Sequence, residues 1–155
     1  MKTKNKKVNK IIIFFSSFFG VGYLKYVPGT FGSLIAFLLW MLFVPNRYIF
    51  QVFLLVVVFV ISVLFSSIAE AIYNKKDDQR IVIDEVAGSW FSIAFLPKTF
   101  IILFFGFLLF RIFDIRKPLF IKKLQKLKGG FGVTLDDITA GIFVNIILQV
   151  IMVIK

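Results

Sequence analysis

The sequence predicts an all-α fold: a polytopic helical membrane protein of about five membrane-embedded helices, preceded by an N-terminal interfacial or re-entrant segment. Three observations lead there. Apolar residues make up 59% of 155 residues, with mean hydropathy +0.94. A water-soluble domain of that size has too much surface for its volume to hide them. Apolar runs recur along the whole chain, and the charges sort into alternate connecting segments.

Residues 1–155 read as one domain, with 1–10 (MKTKNKKVNK) as a basic cytoplasmic tail. Ile11–Gly22 is apolar but short, and no small-residue cleavage site follows it, so it reads as the interfacial or re-entrant segment rather than a signal peptide. The membrane-embedded runs are Phe31–Val44, Tyr48–Tyr73, Val86–Leu96, Thr99–Phe113 and Ile138–Ile154. Several hold only 11–15 apolar residues. Such runs cover roughly 17–23 Å of a ~30 Å hydrocarbon core, so their polar ends extend them or some enter only part way.

Charge tests the layout. With the N-terminus inside and strict alternation, the inner segments are 1–30, 74–85 and 111–137. They carry Lys2, Lys4, Lys6, Lys7, Lys10, Lys25, Lys75, Lys76, Arg80, Arg111, Arg116, Lys117, Lys122, Lys123, Lys126 and Lys128. Only Arg47, Lys98 and Lys155 remain outside. That asymmetry predicts an N-in, C-out topology. The net charge of +11 then marks cytoplasmic loops and contact with anionic membrane lipids rather than nucleic acid. All eight acids, Glu70, Asp77, Asp78, Asp84, Glu85, Asp114, Asp136 and Asp137, also fall inside. Acids sort topology weakly, so their gathering calls for another cause.

The chain has no Cys and no His. Disulfides, thiolate chemistry, imidazole metal ligands and phosphohistidine intermediates are excluded. Chemistry must rest on carboxylates, hydroxyls, Lys, Arg and backbone. Asp84-Glu85 and Asp136-Asp137 each stand before an apolar helix, where an acid caps backbone N–H groups or binds a cation. Asp114 sits at a helix C-terminal end, against the dipole, with Arg111 one turn away as an ion-pair partner. Five carboxylates at three helix ends repel one another unless a cation lies among them, and hard oxygen donors suit Mg²⁺.

Pro28-Gly29-Thr30-Phe31-Gly32-Ser33 reads as a turn with a Thr30 cap, or as an anion site at a helix N-terminus carrying two hydroxyls. Gly129-Gly130-Phe131-Gly132 reads as a turn whose bare backbone lets a ligand approach. The run Lys122, Lys123, Lys126, Lys128 reads as an amphipathic helix on anionic lipid. Lys117, beside Asp114, is the better phosphate partner.

Four blocks, PGTFGS (28–33), IVIDEVAGSW (81–90), FRIFDIRKP (110–118) and GGFGVTLDDITAG (129–141), resemble the phosphatidylglycerophosphatase A family in order and spacing. The resemblance covers nearly all of the chain after about Gly20. It implies hydrolysis of phosphatidylglycerophosphate to phosphatidylglycerol and phosphate, with Mg²⁺, at the bacterial inner membrane. It also implies that Asp84, Glu85, Asp114, Asp136 and Asp137 form the catalytic and metal-binding set. Thr30, Ser33, Arg111 and Lys117 then bind substrate. Val27, Gln79 and Phe120 depart from the family pattern in loops, not in the acidic set. The expected mechanism is attack by water at a metal-polarised phosphomonoester, with direct carboxylate attack as the variant. Two rival readings remain: a cation transporter with an acidic cytoplasmic mouth, and a non-catalytic lipid-binding protein whose acids only cap helices. Mid-span polar residues are few (Ser62, Ser66, Ser67, Ser92, Asn145, Gln149), which disfavours a conduction path.

Overall fold

The computed structural model describes residues 6–118 and 121–154, without the side chain of Lys122. Lys2, Lys4, Phe120 and Lys155 lie outside the described residues. Among those described, the secondary structure is entirely helical. The elements are α1 (Lys6–Ser16), a 3₁₀ turn (Val21–Tyr23), α2 (Pro28–Phe43), α3 (Tyr48–Tyr73), α4 (Ile83–Ile93), α5 (Phe100–Arg116), α6 (Ile121–Leu124) and α7 (Gly130–Ile154).

Two helices, α3 with 26 residues and α7 with 25, are long and apolar enough to cross a membrane. Each is roughly 38 Å long at ~1.5 Å per residue. The polarity of α3 is inverted relative to a helix in water. Its inward stripe carries Gln51, Ser62 and Ser66, while Val52, Phe53, Val56, Val60 and Leu64 face out. Polar groups turned inward and hydrocarbon turned outward is the arrangement lipid favours. The helices α2, α4 and α5 are shorter, at 16, 11 and 17 residues.

Several helix starts differ from the sequence expectation. α4 begins at Ile83, so Asp84 and Glu85 lie within its first turn; its N-cap is Val82, and no side chain caps it. α7 begins at Gly130 rather than Ile138, anchored where the Gly130 N–H donates to Ser67 Oγ (2.8 Å). The glycine block is therefore a turn only at Gly129 (φ 64°) and opens the helix from Gly130 on, and Asp136 and Asp137 sit in its second turn, where they cannot cap it. α2 begins at Pro28, which suits a first helical position because Pro has no N–H to satisfy. Thr30 is inside that first turn and is not the cap. The lysine run is helical only over Ile121–Leu124 and continues as turns, so the expected amphipathic helix shrinks to one turn. α1 begins before Ile11, at Lys6, and ends at Ser16, whose carbonyl accepts from Val82 N–H (2.9 Å).

Helices α2, α4 and α7 start, and α3 and α5 finish, at one end of the bundle, the end that carries the acids. The opposite end is sealed by side-chain amides and one Lys. Asn145 Nδ2 donates to the carbonyls of Ser92 (3.2 Å) and Ala94 (2.9 Å) where α4 stops. Gln51 Oε1 accepts from Phe95 N–H (2.8 Å). Lys98 Nζ reaches the last carbonyls of α2, at Val44 and at Met41 (3.3 Å), where a cation complements the dipole. A helix as short as α4 can end inside an apolar bundle only because those carbonyls find donors.

The packing that sets the site is the crossing of α4 and α7. A Cβ on Gly141 would lie 2.3 Å from the Gly88 carbonyl oxygen. One on Gly88 would lie 2.6 Å from the Asp137 backbone carbonyl oxygen and 2.7 Å from a Phe110 ring carbon. Only glycine at both positions permits this approach, which brings the acidic first turn of α4 beside Asp137.

Candidate active site

Asp84, Glu85 and Asp137 converge. One carboxylate oxygen from each lies within 4.8 Å of the others. Asp84 and Asp137 are buried at 3% relative exposure, and Glu85 is half-buried. Asp84 Oδ1 and Glu85 Oε2 are sequestered from solvent without a hydrogen-bond partner. Buried carboxylate oxygens without donors are costly, and three crowded carboxylates repel. Both costs fall if a divalent cation sits among them. The donor set is all carboxylate oxygen, which matches Mg²⁺ rather than a soft metal. The residues present therefore fit the group.

The remaining two acids face cations instead. Arg111 Nη1 donates to Asp114 Oδ2 at 2.6 Å and to Ser33 Oγ at 3.4 Å. Lys117 Nζ lies 2.5 Å from Asp136 Oδ2 and 4.0 Å from Asp137 Oδ1. Burial pushes the Lys117 ammonium down, but the Asp137 and Asp136 carboxylates outweigh it, so Lys117 is held protonated beyond its ordinary range. The sequence-derived set of five acids thus resolves into a convergent trio and two ion pairs, each pair placing a cation toward the trio. The ion pair expected between Asp114 and Arg111 is present.

The N-terminal block of α2 completes the surround. A Cβ at Gly29 would stand 2.1 Å from Glu85 Oε1 and 3.4 Å from Arg111 Nη1. The Glu85 carboxylate therefore lies directly on the α2 backbone, and glycine is required there. Ser33 Oγ donates to the Gly29 carbonyl (2.8 Å) while accepting from Arg111. Thr30 lies half-buried in the same turn. Two further polar groups lie unsatisfied here, and of the two Ser89 escaped the sequence reading. Arg111 Nε is buried without an acceptor, and Ser89 Oγ, four residues after Glu85, is buried without a partner. The spacing of Ser89 from Glu85 within the second block was the available signal.

The three outlying acids do not join the trio. Asp78 pairs with Arg80 (2.7 Å) and Lys75 (3.6 Å). The Arg80 side chain, which hydrogen-bonds its carboxylate, holds Asp78 down at about 2. Glu70 Oε1 accepts from the Asp77 N–H (2.8 Å).

An acidic trio, two flanking cations and a close-packed glycine turn are what the four sequence blocks supply, and the family model for phosphatidylglycerophosphatase A matches residues 14–152. The chain belongs to the phosphatidylglycerophosphatase A family. Among its relatives, phosphatidylglycerophosphatase A of Escherichia coli (strain K12) is 36% identical over 130 residues, 80% of this chain and 73% of that one. Phosphatidylglycerophosphatase A of Haemophilus influenzae is 32% identical over 134 residues, 84% of this chain and 82% of that one. A Bacteroides thetaiotaomicron protein with the provisional name phosphatidylinositol-3-phosphatase is 33% identical over 139 residues, 85% of this chain and 87% of that one. No solved structure matches the chain.

Proposed function

We propose that this chain is a Mg²⁺-dependent lipid phosphatase that hydrolyses phosphatidylglycerophosphate to phosphatidylglycerol and phosphate. It acts at the cytoplasmic face of a bacterial inner membrane, crossed by about five helices. The observation that carries the reading is the convergence of Asp84, Glu85 and Asp137 with two donorless buried oxygens. Membership of the family and the names of two relatives support the substrate.

Asp84, Glu85 and Asp137 would hold the ion. A bound divalent cation polarises phosphoryl oxygens and makes water a better nucleophile near neutral pH. Lys117 and Arg111 offset charge gathering on the phosphoryl oxygens in the transition state. Asp114 and Asp136 keep those two cations oriented. Ser33 fixes the Arg111 guanidinium from the other side, and Thr30 is the further hydroxyl in reach of a phosphate. Water attacks phosphorus, the P–O bond to the glycerol breaks, and the alcohol and inorganic phosphate leave.

The deciding experiment measures phosphate release by the purified full-length chain from phosphatidylglycerophosphate, with and without EDTA. Phosphatidylinositol 3-phosphate runs in parallel, because one relative's name points to it. Release that EDTA stops and added Mg²⁺ restores is expected. No release from a folded, Mg²⁺-supplied protein would overturn the reading in favour of transport or lipid binding.

A further inference from the structure

We propose that the groove between α2 and α5 seats an acyl chain of the lipid substrate, with its head at Ser33 and Arg111. The proposal rests on the lipid-phosphatase reading and extends it from headgroup to tail. The groove has a volume of about 310 Å³ and a wholly apolar lining. Its floor descends in four-residue steps from the active site on both helices. On α2 the series is Ser33, Phe37, Met41; on α5 it is Arg111, Phe107, Leu103. Residues four apart share a helix face, so each column runs directly beneath the Arg111–Ser33 contact. The column from Ser33 to Met41 is about 12 Å deep, most of one leaflet's share of a ~30 Å core.

Two further features fit a lipid there. Phe37 is nearly fully buried (3%), whereas Leu38 and Phe104 at the walls are about half exposed (49% and 51%), so the walls wait for an apolar neighbour. At the head, Arg111 Nε is buried and lacks an acceptor, which a phosphate oxygen would supply. A second apolar groove, about 460 Å³ between α5 and α7, runs along α5 from Thr99 to Leu109 and is lined on α7 by Leu148, Ile151 and Met152. Its α5 lining, Ile101, Ile102, Phe105 and Leu109, lies off the Arg111–Phe107–Leu103 column, so ordinary bilayer lipid covers it without consequence for turnover.

The test compares hydrolysis of a long-chain phosphatidylglycerophosphate with that of a water-soluble short-chain analogue in detergent micelles, using wild type, Leu38→Trp and Ile151→Trp. Filling the α2–α5 groove should cut kcat/KM for the long-chain lipid about tenfold, the worth of a couple of buried methylenes, and leave the short-chain analogue unchanged. Ile151→Trp should change neither. Equal losses on both substrates, or the same loss from Ile151→Trp, would overturn the proposal. So would a Leu38→Trp effect confined to oligomeric state, which would assign the groove to a second copy of the chain. Should Leu38→Trp not fold, the unaltered chain is irradiated with a long-chain substrate carrying a photoreactive acyl tail. Label on 34–41 and 100–107 supports the seat, and label on 148–152 instead refutes it. Absence of phosphate release from either substrate by wild type would sink the phosphatase reading, while the photolabel still decides where the chain lies.

Discussion

The ammonium of Lys117, on the turn that ends α5, stands 2.5 Å from the carboxylate of Asp136 on α7. Asp136 has 0% side-chain exposure and Lys117 has 21%. The pair joins two helices at the mouth of the acidic trio, and it holds a cation 4.0 Å from Asp137. Lys117→Met would strand a buried carboxylate. The expected cost is roughly 3 kcal/mol, because removing one partner leaves the other desolvated and unpaired. Asp136→Asn added to Lys117→Met should restore much of that stability without restoring activity. Thermal unfolding in detergent and phosphate release read the two effects separately. Unchanged stability in Lys117→Met would show that the pair does not hold the helices together.

Asp137 differs, since it belongs to the trio. Asp137→Asn removes one of three crowded charges and one proposed ligand. Without Mg²⁺ the variant should unfold at a higher temperature than wild type, through relief of repulsion. With Mg²⁺ the order should reverse, because saturating a site 100-fold above its Kd adds about 2.7 kcal/mol to wild type alone. Activity should fall at least about 100-fold, the upper range seen for losing mere supporting partners of a ligand. Equal Mg²⁺ stabilisation of both proteins would remove Asp137 from the ligand set.

Gly29→Ala probes the contact between α2 and Glu85. The added methyl would occupy a point 2.1 Å from Glu85 Oε1. Either the carboxylate rotates out of the trio or α2 shifts. Both outcomes should cost about 1–3 kcal/mol in stability and lower turnover more than they raise KM. Wild-type turnover in this variant would mean that Glu85 needs no fixed position.

Much of this was legible in the sequence, and the exceptions have physical causes. α3 was read with its bounds intact, because a long apolar run between Pro45-Asn46 and the polar 74–80 segment leaves one solution. The five acids were found by their placement at run ends. What pattern could not supply was their division into trio and ion pairs, which depends on the Gly88–Gly141 approach and on Lys117 folding back from the end of α5. The starts of α4 and α7 were missed because apolar periodicity detects the buried part of a helix, not a polar first turn held by neighbours. The lysine run misled for the opposite reason: its spacing suited a helix, but among its described residues only Ile121 is fully buried to anchor one.

The proposed topology has a direct test, because the chain has no native Cys. Single substitutions Lys76→Cys and Arg47→Cys place one thiol at each end of the bundle. A membrane-impermeant maleimide applied to intact spheroplasts should label Arg47→Cys and spare Lys76→Cys until the cells are opened. Labelling of both from outside would refute a cytoplasmic active site.

Asn145 secures the end of α4 that lies away from the site. Its amide donates to the Ser92 and Ala94 carbonyls, and its own oxygen accepts from Gln149 Nε2 at 2.5 Å. These bonds let α4 stop after 11 residues inside the bundle. Asn145→Leu preserves volume but leaves two carbonyls without donors. Each buried orphan costs about 1–3 kcal/mol. The variant should therefore unfold at a lower temperature while each folded molecule retains near-normal turnover, because the lesion lies at the far end of α4. Measuring turnover per active site, counted by Mg²⁺ binding, separates the two effects. A loss of turnover without a loss of stability would mean that Asn145 acts on the chemistry itself rather than on the end of the helix.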